Sequence, residues 1–176
     1  MTEDRPPNPQ VDRARRRLAA ETALRRWSAT SGVPSVILRV PGIYGPQRLP
    51  VERLRAGEPV LREEQSPFSN RIHADDLARV CVAAARSRRP SAVYNVSDGH
   101  PTSMTDFFHC VADRLGIPRP PAITLEEARR RLGGGMLSYL AESRRIDNRR
   151  MLAELGVELR YPDLDAGLRS CVAKGE

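Results

Sequence analysis

The chain has 176 residues, 40 % of them apolar and only 5 % aromatic, with three cysteines and a formal charge of +7. That length suits one domain, 1–176, with a mainly aliphatic core, and no run approaches the roughly 20 apolar residues that a membrane-spanning helix needs. Cys81, Cys110 and Cys171 are too scattered for a disulfide framework or a zinc knuckle, the histidines add no metal-ligand pairing, and the polar opening MTEDRPPNPQ is no secretory signal, so a cytoplasmic protein without a metal is expected.

The first predicted element is a helix over 9–31, with Asn8 as N-cap, Pro9 as first helical residue and Gly32 as the stop. Its apolar residues fall into two stripes, Val11–Ala14–Leu18 and Ala20–Ala23–Leu24–Trp27. A helix with one wet face needs a single stripe, so cover on both sides is expected. "SVILRV" (35–40) reads as a buried strand ended by the turn "PGIYGP". A short helix follows over 49–56, then a polar, irregular segment over 58–70. "RIH" is a short extended piece before a helix with Asp75 as cap and Leu77, Val80, Cys81 and Ala84 as its inner stripe. "AVYNVSD" is a second strand, with Asn95 and Asp98 as turn formers. "SMTDFFHCVADRLG" is a helix opened by a Ser103–Asp106 capping box and closed by Gly116. Beyond it come helical segments broken at Gly133–Gly135, a strand "VELRYP", and a last helix over 163–173.

Helices alternating with extended segments predict an α/β fold. Only two segments look like full strands of a buried parallel sheet, which is fewer than such a sheet ordinarily has.

Three stretches in order, "LRVPGIYGP" (38–46), "NRIHADDLA" (70–78) and "YNVSDGHPTSMTDFF" (94–108), resemble the C-terminal part of the extended short-chain dehydrogenase/reductases, the NAD-dependent epimerase/dehydratase family. The resemblance implies two late strands of a Rossmann-like sheet plus a helical substrate-binding lobe. Nothing in the sequence matches the family's strand, G-x-x-G-x-x-G turn and helix, whose N-terminus receives the dinucleotide pyrophosphate. No cofactor is therefore expected for this chain alone, although the intact family uses NAD(P). Met1 is then the start of a shortened chain or an internal codon of a longer reading frame.

In that family the first helix carries Y-x-x-x-K ahead of a segment like "LAAE". The i, i+4 spacing puts both side chains on one face, where the ammonium favours the phenolate that shuttles a proton. Aligned on Leu18–Glu21, Arg13 stands at the tyrosine and Arg17 at the lysine. A guanidinium does not lose its proton near neutrality, so no catalytic residue is assigned and the chain resembles the family's atypical members. The resemblance also places Pro41 and Gly42 at the nicotinamide end of a cofactor, and offers Tyr44 as a substrate contact or a packing residue. Sugar-nucleotide epimerases often hold a pyrophosphate with an arginine four residues before the histidine matching His73. Here Ser69 stands there, and Arg71, on the same face of an extended segment, is the candidate substitute, unless it is solvated or paired on a helix. His73 is expected to brace the following helix, and Asp75 and Asp76 to serve as cap and first-turn acid.

The favoured reading is a truncated, atypical epimerase/dehydratase that keeps the substrate-side lobe and is inactive alone. An alternative is a non-catalytic interaction module, pairing through the free edge of strand 35–40 and through helix 9–31, by which relatives commonly dimerise. The partner would be a second copy or a chain carrying the Rossmann half. Nucleic-acid binding through "RARRR", "RSRR" and "ARRR" is disfavoured, because the clusters lie on different elements and stacking aromatics are scarce.

Overall fold

A computed structural model describes residues 1–88, 90, 92–131 and 133–172. Its frame is a pair of parallel strands, β1 (Ile37–Arg39) and β6 (Val93–Asn95), in register Ile37↔Val93 and Arg39↔Asn95. Between them the chain forms β2 (Gly42–Tyr44), α2 (Val51–Arg55), β3 (Val60–Leu61), β4 (Phe68–Ser69), β5 (Arg71–His73) and α3 (Ala74–Arg86). After β6 come β7 (Thr102–Ser103), α4 (Met104–Leu115), β8 (Ala122–Ile123), α5 (Leu125–Arg131), α6 (Gly134–Leu140), α7 (Arg149–Leu155) and α8 (Leu164–Val172). The helix α1 (Asp12–Ser31) precedes them all.

Strand alternation distributes the side chains of β1. Leu38 faces a core of Ile72, Val80, Tyr94, Val96 and Met151, roofed by α3 and α7. Arg39 points to the other face and grips α1, its Nε and Nη2 donating to the two oxygens of Glu21 at 2.9 and 2.8 Å. Helices therefore cover the sheet on both sides, as a parallel pair requires. A second core, built from Tyr44, Leu54, Val60, Phe108, Val111 and Leu168, joins α2, α4 and α8 into a separate lobe.

Several expectations are corrected. The helix α1 starts at Asp12, with Val11 at its N-cap, because the side-chain oxygen of Asn8 is engaged by Gln10 Nε2 at 2.7 Å. Gly32 stops it as expected, in the left-handed region at φ 71°, its N–H on Ser28 O. Cover on both sides of α1 is not seen: Val11, Ala14 and Leu18 are half-buried, whereas Ala20, Ala23, Leu24 and Trp27 are exposed. "PGIYGP" is not only a turn, since Gly42–Tyr44 pairs in parallel with Arg71–His73. The irregular stretch 58–70 contains β3 and β4, which pair with β8 and β7 respectively. The cap of α3 is His73, whose ring accepts the Asp75 N–H at 3.1 Å; Cys81 on that helix is exposed. Asn95 lies inside β6, and "VELRYP" forms no strand. Ser103 caps α4 by accepting the Asp106 N–H, and Gly116 closes that helix at φ 64°. Ala173 lies outside the described residues.

In a parallel ladder alternate residues pair to opposite sides. Ile37 N–H donates to Ala92 O and Arg39 O accepts from Val96 N–H, so Leu38 turns its N–H and C=O to the other edge of β1. Among the described residues no strand pairs with that edge. None of the described helices is long and apolar enough to cross a membrane.

Candidate functional site

The pairing of β2 with β5 brings four sequence-derived candidates together: Gly42 sits opposite Arg71, and Tyr44 opposite His73. Gly42 is exposed, its N–H donating to Asn70 O at 3.1 Å, and a Cβ there would make ordinary contacts with Asn70 O at 3.4 Å and Arg71 Cγ at 3.6 Å. Pro41 is half-buried just ahead of it.

Arg71 is neither solvated nor paired on a helix. It is 6 % exposed, its guanidinium lies 3.9 Å over the Phe107 ring, and Nη1 donates to Thr102 Oγ1 at 2.7 Å. Its remaining N–H groups meet no acceptor among the described residues. Burial lowers its pKa to about 10, with Asp98 and Asp106 acting against the shift, so it stays a cation at neutral pH. Thr102 pairs with Ser69 across the β4–β7 ladder, and the Ser69 hydroxyl is buried without a partner. A buried hydroxyl without a partner is costly unless something bonds to it. The arrangement suits an oxyanion or a polyol. Thr102 and Phe107 were missed as functional residues; both lie in the quoted motif, but nothing in its spacing points them at Arg71.

Asp98 adjoins this group through its N–H, which donates to Arg71 O at 2.8 Å. Burial lifts its carboxyl from the ordinary 3.8 to about 6, against the His100 N–H that it accepts at 2.9 Å and the Arg71 charge. A raised carboxyl pKa means that the fold favours the protonated form. The stability this contributes is full below pH ~3.8 and is lost as pH rises through ~6. Asp98→Asn keeps the acceptor for His100 and removes the charge. The variant should match the parent near pH 4 and exceed it at pH 7.5 by about 2 kcal/mol, read from urea unfolding at both pH values. An equal offset at the two pH values would refute the assignment.

Tyr44 is 1 % exposed, edge-on to His73 at 5.3 Å between ring centroids, and its hydroxyl donates to Asp163 O at 3.3 Å. Desolvation, its largest influence, raises the phenol above its ordinary value, so this tyrosine is no proton shuttle. Ser170 Oγ stands 3.3 Å from His73 Nε2, which superficially resembles a nucleophile and its base. The bonding excludes that role. His73 Nδ1 accepts the Asp75 N–H, so Nε2 carries the proton, and Ser170 donates its own to Gly167 O at 2.7 Å.

Arg13 and Arg17 diverge. Arg17 is exposed. Arg13 binds α6 and the residues after it, with Nη2 on Glu142 Oε2 at 2.8 Å, Nη1 on Ser138 Oγ at 3.3 Å, and its guanidinium 3.7 Å over the Tyr139 ring. Among the described residues there is no group of three His, Cys, Asp or Glu side chains able to hold a metal.

The profile of the NAD-dependent epimerase/dehydratase family matches residues 1–97, more than half of the chain. The chain belongs to the NAD-dependent epimerase/dehydratase family. Within it, the dTDP-L-rhamnose 4-epimerase of Burkholderia thailandensis is 31 % identical over 117 residues, covering 59 % of this chain and 32 % of that protein. A functionally unknown conserved protein from Silicibacter pomeroyi superposes with a TM-score of 0.87 at 34 % identity, over 98 % of this chain and 60 % of its own. The UDP-glucose 4-epimerase of Thermotoga maritima, solved with UDP-glucose, shares the fold with a TM-score of 0.76 at 20 % identity, over 98 % of this chain and 56 % of its own. The chain thus spans at most about three-fifths of the length of these proteins.

No G-x-x-G-x-x-G turn occurs among these 176 residues.

Proposed function

We propose that this chain is the substrate-side portion of an atypical epimerase/dehydratase acting on a nucleotide-sugar-type substrate, and that it is inactive by itself. The carrying observation is the buried Arg71 guanidinium, with donors to spare, beside the orphaned Ser69 hydroxyl and Thr102. That group suits a phosphate oxygen of such a substrate, in the place of the arginine that Ser69 replaces. Pro41 and Gly42 would border the reacting end of a cofactor held by a dinucleotide-binding half, carried in the same polypeptide or in a partner chain. The unpaired Leu38 edge of β1 is where the next parallel strand would add.

Proton transfer by the tyrosine–lysine route is closed in α1. Arg13 cannot cycle through a neutral form and is tied to Glu142, while Arg17 offers only a fixed charge. What the chain's own groups can do is bind and orient: Arg71 by charge, Ser69 and Thr102 by hydroxyl.

Calorimetric titration of the purified chain with NAD(H) and NADP(H) tests the reading. No saturable binding is expected up to about 1 mM, an affinity of only about 4 kcal/mol. Micromolar binding accompanied by turnover, abolished on changing Arg13, would overturn it.

A further inference from the structure

Glu142 is shared. Its Oε2 accepts from Arg13 and its Oε1 from Arg144 Nη2 at 2.7 Å, so one carboxylate bridges two guanidiniums that come from distant parts of the chain. The cluster is only partly wet, with side-chain exposures of 24 % for Arg13, 16 % for Glu142 and 44 % for Arg144. Two cations against one anion leave a positive charge uncompensated in a partly desolvated place. The Tyr139 ring under Arg13 fixes the plane of that guanidinium, and the Ser138 hydroxyl lies alongside.

The element that brings Glu142 here is weakly held. No residue of α6 is buried, Tyr139 is 50 % exposed, and the helix emerges from Gly133–Gly135, around which a Cβ would meet nothing within 4 Å. Its other tethers are few: Arg13 on Ser138 and over Tyr139, Met136 Sδ against Arg53 Nη1, and Leu140 at the margin of the Leu61–Ile123–Ala128 cluster. Arg144, by contrast, belongs to a segment that is pinned. Its N–H donates to Phe68 O, and Asn70 bonds both Arg144 O and the Ile146 N–H. Arg144 is thus held from the β4–β5 side, whereas Arg13 is held through Ser138, Tyr139 and Glu142.

We propose that Arg13 and Arg144 form a phosphate-binding site, filled in this structure by Glu142 as an internal stand-in, and that a phosphate dianion displaces Glu142 and loosens the end of α6. The charge selects the ligand. A dianion neutralises both guanidiniums, which the single carboxylate does not, and its oxygens can accept from both at once. The site uses other side chains than Arg71 and does not depend on a dinucleotide-binding half.

Inorganic phosphate, titrated into the full chain at constant ionic strength, is the probe, with acetate as the monoanionic control. If Glu142 fills the site about nine-tenths of the time, Glu142→Gln tightens phosphate binding about tenfold, and adding Arg13→Met to that variant abolishes it. In the parent chain, phosphate but not acetate speeds amide exchange across 134–142. The proposal falls if folded Glu142→Gln binds phosphate no better than the parent, or if the tighter binding survives loss of Arg13. Should Glu142→Gln fail to fold, exchange across 134–142 in the parent that phosphate leaves unchanged overturns it equally.

Discussion

Gly167→Ala should unfold the chain about 3 kcal/mol more easily, although it replaces a glycine inside a helix, where alanine ordinarily stabilises by up to about 1 kcal/mol. The reason is Tyr44. A Cβ at position 167 would lie 2.0 Å from the tyrosine hydroxyl and 2.6 Å from Cε2 and Cζ. The ring has no free direction, because it stands against His73 on one side and its hydroxyl is bonded to Asp163 O. Helix α8 cannot retreat cheaply either, since Leu164, Leu168 and Cys171 anchor it in the same core as Tyr44. Overpacking of this kind costs about 1–3 kcal/mol, and loss of the tyrosine hydrogen bond adds about 1. Thermal unfolding should fall by roughly 6–12 °C. Gly135→Ala is the control, a glycine in α6 with open space around it, and should be neutral or slightly stabilising. Removing the hydroxyl with Tyr44→Phe should recover part of the loss, so the two changes are non-additive. A Gly167→Ala protein as stable as its parent would show that α8 does not press on Tyr44.

The contrast between those two glycines marks what sequence pattern can and cannot reveal. Strands β1 and β6 were legible because each lies in a short run rich in β-branched and aromatic residues, Val36–Ile37–Leu38 and Val93–Tyr94, and α4 because Ser103 and Gly116 punctuate it. Strands β3, β4, β7 and β8 were not: each has two residues, too few to show a period of two. Residues 157–161 alternate V-E-L-R-Y as a strand would, yet they join no ladder, and the N–H groups of Arg160 and Tyr161 go to the Asp76 carboxylate instead. The two stripes of α1 predicted two partners, and the described residues supply one. At the candidate site the proposed place of Arg13 rests on the alignment at Leu18–Glu21 alone. What Arg13 touches was hidden, because Glu142 lies 129 residues away and no local rule joins them. Arg71 was picked by its spacing from His73, but its burial over Phe107 follows from the packing of α4 on β5 and has no local signature.

Asp76 was read as an ordinary acid in the first turn of α3, and its replacement is expected to be the most damaging of all. The side chain is fully buried, and its two oxygens accept the N–H groups of Arg160 and Tyr161, each at 2.9 Å. Those amides have no strand partner, so the carboxylate does for 160–161 what a neighbouring strand would otherwise do. Tyr161 stacks on His73 at 4.0 Å, and His73 caps the helix on which Asp76 stands. The contact therefore closes a loop from α3 through Tyr161 back to α3, just ahead of α8. Asp76→Ala leaves two buried N–H groups without acceptors, together with a small cavity. Hydrogen bonds to a charged acceptor are worth about 1.5–3 kcal/mol each, which puts the cost at roughly 4 kcal/mol. Asp76→Asn keeps one acceptor and turns an NH2 toward the second amide, so it should lose about half as much. Urea unfolding would read both losses, and amide exchange at Arg160 and Tyr161 should quicken before exchange in β6. If Asp76→Ala left those two amides as protected as in the parent, the anchor of this segment would have to lie elsewhere.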